Sequence, residues 1–216
     1  MAQRSAVDND VLIKLSRYLF LTSESFQGLI GPEAAGVLGA APFVVGARLQ
    51  KKTPIETRAA ALAQFQDFMA TAELLEPSSS ELAVAAALED RAQELGLPLD
   101  TGESQLIAIV ADRRFAHFLT GDKRALGALE VVGPLVLDAA LITGVAICFE
   151  QIILRLAQEI GVDACRQGVC TDRAADLAVA LAFACNQDVV TLDDVATGLT
   201  SYIEHLRKSC PVVLMR

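Results

Sequence analysis

Histidine is scarce in this 216-residue chain, with only His117 and His205 present. A structural zinc site takes four nitrogen or sulfur ligands, so a centre built on Cys165 and Cys170 would use up both histidines. That spacing argues against zinc. The five cysteines (Cys148, Cys165, Cys170, Cys185 and Cys210) are odd in number and irregularly placed, and the N-terminal residues lack the continuous apolar segment of an export signal. Reduced thiols packed as small hydrophobes, in a cytoplasmic protein, are therefore expected. No stretch of 18 residues is free of charge, and apolar runs such as Ala139 to Phe149 are too short to span a bilayer. No membrane partner is expected. Internal repeats and low-complexity tracts are also missing.

Positive charge is in deficit. Eighteen Lys and Arg face 27 Asp and Glu, a net charge of -9, which disfavours a polyanionic partner over the surface as a whole. A local basic patch can coexist with that total, and bound divalent ions would offset acids gathered in one site.

What the chain does have is a large apolar content, 53% hydrophobic residues, enough for one α/β domain and an appendage. It centres on Pro98 to Leu126, where three acids fall at the ends of regular elements. Leu106, Ile107, Val110 and Ala111 recur at the helical period behind Asp100-Thr101-Gly102-Glu103, a D-x-x-E capping box that needs no catalytic explanation. Phe115 to Thr120 is a short apolar run that reads as a buried strand, and Gly121, Asp122 and the helix-forming Lys123 to Leu126 follow it. Ligands in parallel sheets sit beyond the carboxyl ends of the strands, where Asp122 would lie. Ser5 to Val7 repeats the arrangement near the start, a strand ending in Asp8-Asn9-Asp10 ahead of the helical Val11 to Leu15.

Three segments, AVDNDVLIKL (Ala6 to Leu15), LDTGESQLIAIVA (Leu99 to Ala111) and FLTGDKRAL (Phe118 to Leu126), resemble in order and spacing the PIN domain family of metal-dependent nucleases. The resemblance implies a three-layer α/β/α fold with a central parallel sheet. It also implies Mg²⁺- or Mn²⁺-assisted hydrolysis of a phosphodiester, most often in RNA, with single-stranded DNA as the alternative. Carried onto this chain, the metal ligands are Asp8, Glu103, Asp122 and Asp10, with Asp100 beside Glu103 in the catalytic group. Lys123 and Arg124 are candidates for a substrate phosphate. One departure stands out: Ala41 to Arg48, where the family usually places a further Glu, has no acid. Asp10 or Asp100 is one substitute, and Glu81 or Glu89 another.

Rival classes share parts of this pattern. A haloacid-dehalogenase-like phosphatase also opens on a strand and D-x-D, but Leu12 sits where Thr or Val is wanted. A receiver domain would need an Asp on a middle strand. A PIN-like scaffold that binds RNA or protein without cleaving is the non-enzymatic alternative.

Periodicity adds helices over Asp10 to Phe20, Ala41 to Lys52, Ile55 to Leu62 or beyond, and Phe149 to Ile160, and a long one that opens on a capping box of Ser78 with Glu81 and is ended by Leu95 to Pro98. Weaker strands fall at Ala35 to Leu38, Leu74 to Pro77 and Thr143 to Cys148. The nuclease-like domain is expected to end near residue 160. Residues 161–216 are expected to form a helical extension: a linker over Gly161 to Gly168, a helix start at Thr171-Asp172, a helix over Ala174 to Cys185 and another from Leu192. It would cover the body, a second copy or a protein partner. Val212 to Leu214 could add a strand.

Overall fold

The computed structural model describes residues 4–216. Five short strands, β1 (Ser5–Val7), β2 (Gly36–Leu38), β3 (Glu73–Leu75), β4 (His117–Thr120) and β5 (Ala146–Cys148), form one sheet in the order 3-2-1-4-5. Every pairing is parallel. Parallel strands need crossovers, and helices supply them: α1 (Asn9–Tyr18) and α2 (Glu24–Ile30), α3 (Ala41–Lys52) and α4 (Ile55–Met69), α5 (Ser79–Glu94) and α6 (Thr101–Asp112), then α7 (Lys123–Val136) and α8 (Ala139–Ile142). After β5 come α9 (Phe149–Ile160), α10 (Val162–Thr171), α11 (Leu177–Ala182) and α12 (Leu192–Ser209). The fold is a three-layer α/β/α sandwich with a helical C-terminal part.

Alternation along the strands divides the core in two. Val7, Val37, Leu119 and Ile147 face α1 to α4 and α9 to α11, with Tyr18, Phe26 and Phe149 among the buried side chains. Ala6, Leu38, Phe118 and Ala146 face α5 to α8 on the other side. Because β1, β2, β4 and β5 are covered on both faces, short apolar runs suffice there, whereas β3 at the sheet edge leaves Leu74 half exposed. Phe65 and Phe68 of α4 are core residues.

Four features differ from sequence expectation, and a fifth stretch, Val131 to Ala140, whose sequence fits strand and helix alike, is resolved. Gly161 to Gly168 is helix rather than linker, because Val162, Cys165 and Val169 repeat at helical spacing and the last two are fully buried. The helix expected over Ala174 to Cys185 shortens to α11: Asp176 caps it by accepting from the Val179 N–H at 3.1 Å, and Ala184 turns left-handed at φ 42°. Residues 131–136, ambiguous in sequence, continue α7 through Pro134. Cys170 and Cys185 form a disulfide, against the expectation of reduced thiols, while Cys148, Cys165 and Cys210 are free and buried. At the tail, only Leu214 bridges to Ala146, so β5 gains a short edge cover rather than a full strand.

The C-terminal helices share the body's core. Val195 and Leu199 of α12 join the first face and Ile203 and Leu206 the second, so α12 wraps the β5 edge. No helix among the described residues is long and apolar enough to cross a membrane.

Candidate functional site

In an open parallel sheet the loops diverge where the strand order reverses, leaving a crevice at the carboxyl ends. Here that point lies between β1 and β4, and a hollow of about 840 Å³ opens there. Asp8 leaves β1 into it and Asp10 follows on the first turn of α1. Asp100 and Glu103 come from the start of α6, and Asp122 stands just past β4. All five acids expected from the sequence line this one hollow.

Each acid also has a local structural task. Asp8 is the N-cap of α1, accepting from the Asn9 N–H at 2.7 Å. Its other oxygen accepts from the Thr120 hydroxyl at 3.3 Å, and that hydroxyl in turn accepts from the Asp122 N–H at 3.1 Å. Thr120 thus ties the ends of β1 and β4 together. Asp100 and Glu103 close the capping box, Glu103 N–H to Asp100 at 2.8 Å and Asp100 N–H to Glu103 at 3.1 Å. Asp122 caps α7 through the N–H groups of Arg124 and Ala125 at 2.7 and 3.2 Å, and the Arg124 guanidinium lies 3.0 Å from its second oxygen. Asp10 is 2.6 Å from Lys14 Nζ and rests on Gly121, where any Cβ would overlap its carboxylate.

The hollow is crowded with negative charge. Burial pushes the Asp8 carboxyl up to about 7, with Asp10 adding to the rise. Burial likewise lifts Glu103 to about 8, assisted by Asp100, Asp122 and Asp8. Asp122 behaves oppositely: burial raises it, but hydrogen bonds from Arg124 and Ala125 outweigh this and hold it below the usual carboxylate value. Two ionised carboxylates about 4 Å apart repel by roughly 4 kcal/mol at an effective dielectric of 20, so this arrangement retains protons near neutral pH.

An oxygen-only donor set of this kind suits hard divalent cations such as Mg²⁺ or Mn²⁺. As the side chains stand, no group of three His, Cys, Asp or Glu among the described residues is placed to hold a metal ion. Glu103 is turned back onto its helix end and Asp122 is engaged with Arg124. The donor chemistry fits, and ligation would require these two carboxylates to leave their capping contacts.

Several expectations need correction. Lys123 is not at the hollow; its ammonium pairs with the fully buried Glu150 and lies 5.2 Å from the centre of the Tyr202 ring. Glu81 does not replace the acid missing from 41–48, because it pairs with Arg113 at 2.7 Å, which lowers its carboxyl to about 2. Glu89 is bonded to the Ser104 hydroxyl and also lies outside the hollow. Glu76 lines the hollow without having been singled out in sequence, and Arg48 lines it too, although its cluster with Lys51 and Lys52 reads first as a solvated helix end and only second as a phosphate contact. Glu76 had a visible signal, since it follows β3 as Asp8 follows β1; its carboxylate packs where a side chain on Gly39 would otherwise sit.

Fold and hollow together define a parallel α/β protein with an acid-lined crevice at the reversal of its sheet. No family model, no curated protein and no solved structure matches the chain.

Proposed function

We propose that this chain is a divalent-metal-dependent nuclease of the PIN type that hydrolyses phosphodiester bonds, with RNA as the substrate class. The observation that carries the proposal is that Asp8, Glu103 and Asp122, contributed by three separate segments, line one hollow at the switch point of a parallel sheet. Asp8, Asp10, Glu103 and Asp122 would hold the ion. Asp100 positions Glu103 through the capping box. A bound Mg²⁺ or Mn²⁺ supplies charge neutralisation at the phosphate and a water of lowered pKa. Asp8 and Glu103, raised toward neutrality, release protons as a cation is bound. Arg124, exposed beside Asp122, is the cation that can turn from its carboxylate to a phosphate oxygen.

The test is cleavage of labelled single-stranded RNA with and without Mn²⁺. Cleavage that needs the ion and falls about a hundredfold or more in Asp8→Asn is the expected result, a few kcal/mol of transition-state stabilisation. Hydrolysis of a small phosphomonoester without RNA cleavage would transfer the assignment to a dehalogenase-like phosphatase.

A second reading is a PIN-like scaffold that binds RNA or protein without cutting. It is favoured by the absence of an acid on α3 and of three acids placed to hold an ion. RNA binding with no cleavage at any Mn²⁺ concentration would select it.

A further inference from the structure

In a chain of net charge -9, α3 stands apart: among the described helices it alone carries basic residues and no acid. Arg48, Lys51 and Lys52 are all exposed, and none is in an ion pair among the described residues. The helix dipole accounts for cations in a last turn. It does not account for where they lead. Val44 and Arg48, four residues apart on one side of the helix, both line the acid hollow, and Lys51 and Lys52 continue that side away from it. Ala41, Val45 and Leu49, on the adjoining stripe of the helix, are fully buried, which fixes the orientation of α3 and leaves Val44, Arg48, Lys51 and Lys52 exposed along the rim of its buried face. In the first turn, about 100° round the helix from Val44 and on its outer side, Phe43 is 79% exposed.

We propose that α3 is the track along which a single-stranded RNA enters the hollow, with Arg48, Lys51 and Lys52 meeting successive phosphates and Phe43 stacking on a base. The inference rests on the nucleolytic reading and adds a location and a strandedness to it. Charge complementarity selects a polyanion on this wall, because the facing wall, with Asp8, Asp100, Glu103 and Asp122, repels one until a cation is bound. The exposed aromatic selects an unpaired strand, since only an unstacked base offers a free face to a ring.

The experiment is fluorescence anisotropy of a labelled mixed-sequence RNA of about 15 nucleotides, titrated with the full chain over a range of salt, in EDTA and again in Ca²⁺, which offsets the acids of the hollow. The triple variant Arg48→Ala/Lys51→Ala/Lys52→Ala should bind about tenfold or more weakly at low salt. Its slope of log affinity against log salt should fall by about 2, at roughly 0.7 per lost phosphate contact. Phe43→Ala should weaken binding by about 5- to 150-fold with the slope unchanged, and Phe43→Tyr should retain affinity. Lys208→Ala, on α12, is the surface control. All the substituted side chains are exposed, and a melting temperature equal to the parent's verifies the fold. An unchanged slope in the triple variant, a harmless Phe43→Ala, duplex RNA bound as tightly as the single strand, or a parent that binds no RNA each overturns the track. If the parent still cleaves RNA with Mn²⁺ while the slope is unchanged, the track alone is lost. Binding through α3 without cleavage keeps the track and removes the nuclease.

Discussion

Arg17 and Asp172 meet in a two-pronged ion pair, Nε to Oδ2 and Nη2 to Oδ1 both at 2.7 Å, with both side chains almost fully buried. One turn earlier on α1, Lys14 reaches Asp176 at 2.8 Å and Asp10 at 2.6 Å. The segment between α10 and α11 is therefore clamped to α1, and the clamp ends on an acid of the hollow. Removing one partner of such a pair strands a buried charge. Asp172→Ala is expected to lose about 3–5 kcal/mol in urea unfolding, whereas Arg17→Met/Asp172→Leu should return close to the parent.

The cation-free protein should become less stable as pH rises from about 4 to about 8. Asp8 and Glu103 titrate at about 7 and about 8 when folded, against 3.8 and 4.5 as ordinary carboxyls. Between those limits the folded state binds more protons at these two groups than the unfolded, so their contribution to stability is fully present below pH 4 and is lost as the pH climbs through the folded values. Thermal melts in EDTA across this range measure the effect. Asp8→Asn should flatten the dependence and raise the melting temperature at pH 8.

Mn²⁺ should reverse that loss. At pH 8 a cation neutralises the crowded carboxylates, and 100-fold saturation over its dissociation constant stabilises by about 2.7 kcal/mol. Binding should release protons, which calorimetry in buffers of different ionisation enthalpy detects, and it should weaken steeply below pH 7. Asp122→Asn should show neither effect. A parent melt that is insensitive to millimolar Mn²⁺ would remove the metal from the proposal.

The Cys170–Cys185 bond closes a 15-residue loop that includes Asp172 and Asp176. By loop entropy it contributes up to about 3 kcal/mol. Cys185→Ser, or reduction with dithiothreitol, should lower the unfolding free energy by up to that amount, and the loss should shrink in the Asp172→Ala background because the two restraints share one segment.

Much of the fold was legible because its signals are local. The capping boxes at Ser78 and Asp100, the apolar period of α9 and the short buried runs of β1 and β4 act within a few residues, and all appear where the pattern placed them. Where local signals were weak, the expectation failed. Glycines at both ends of 161–168 looked like a linker, but burial of Cys165 and Val169 against the body made helix the stable state. Asp172 was read as part of a helix start because its partner, 155 residues earlier, was not visible from its neighbours.

The site divides in the same way. From sequence alone came the acids at the ends of parallel strands, Asp8 and Asp122, and the capped pair Asp100 and Glu103, because strand ends and helix starts are determined by residues close along the chain. Tertiary structure alone decided that the basic end of α3 brings Arg48 to the same hollow, that Lys123 turns instead to Glu150, and that the acids crowd enough to hold protons near neutral pH. Burial and charge proximity depend on distances through space, which strand order and helix packing set and which spacing along a chain does not encode.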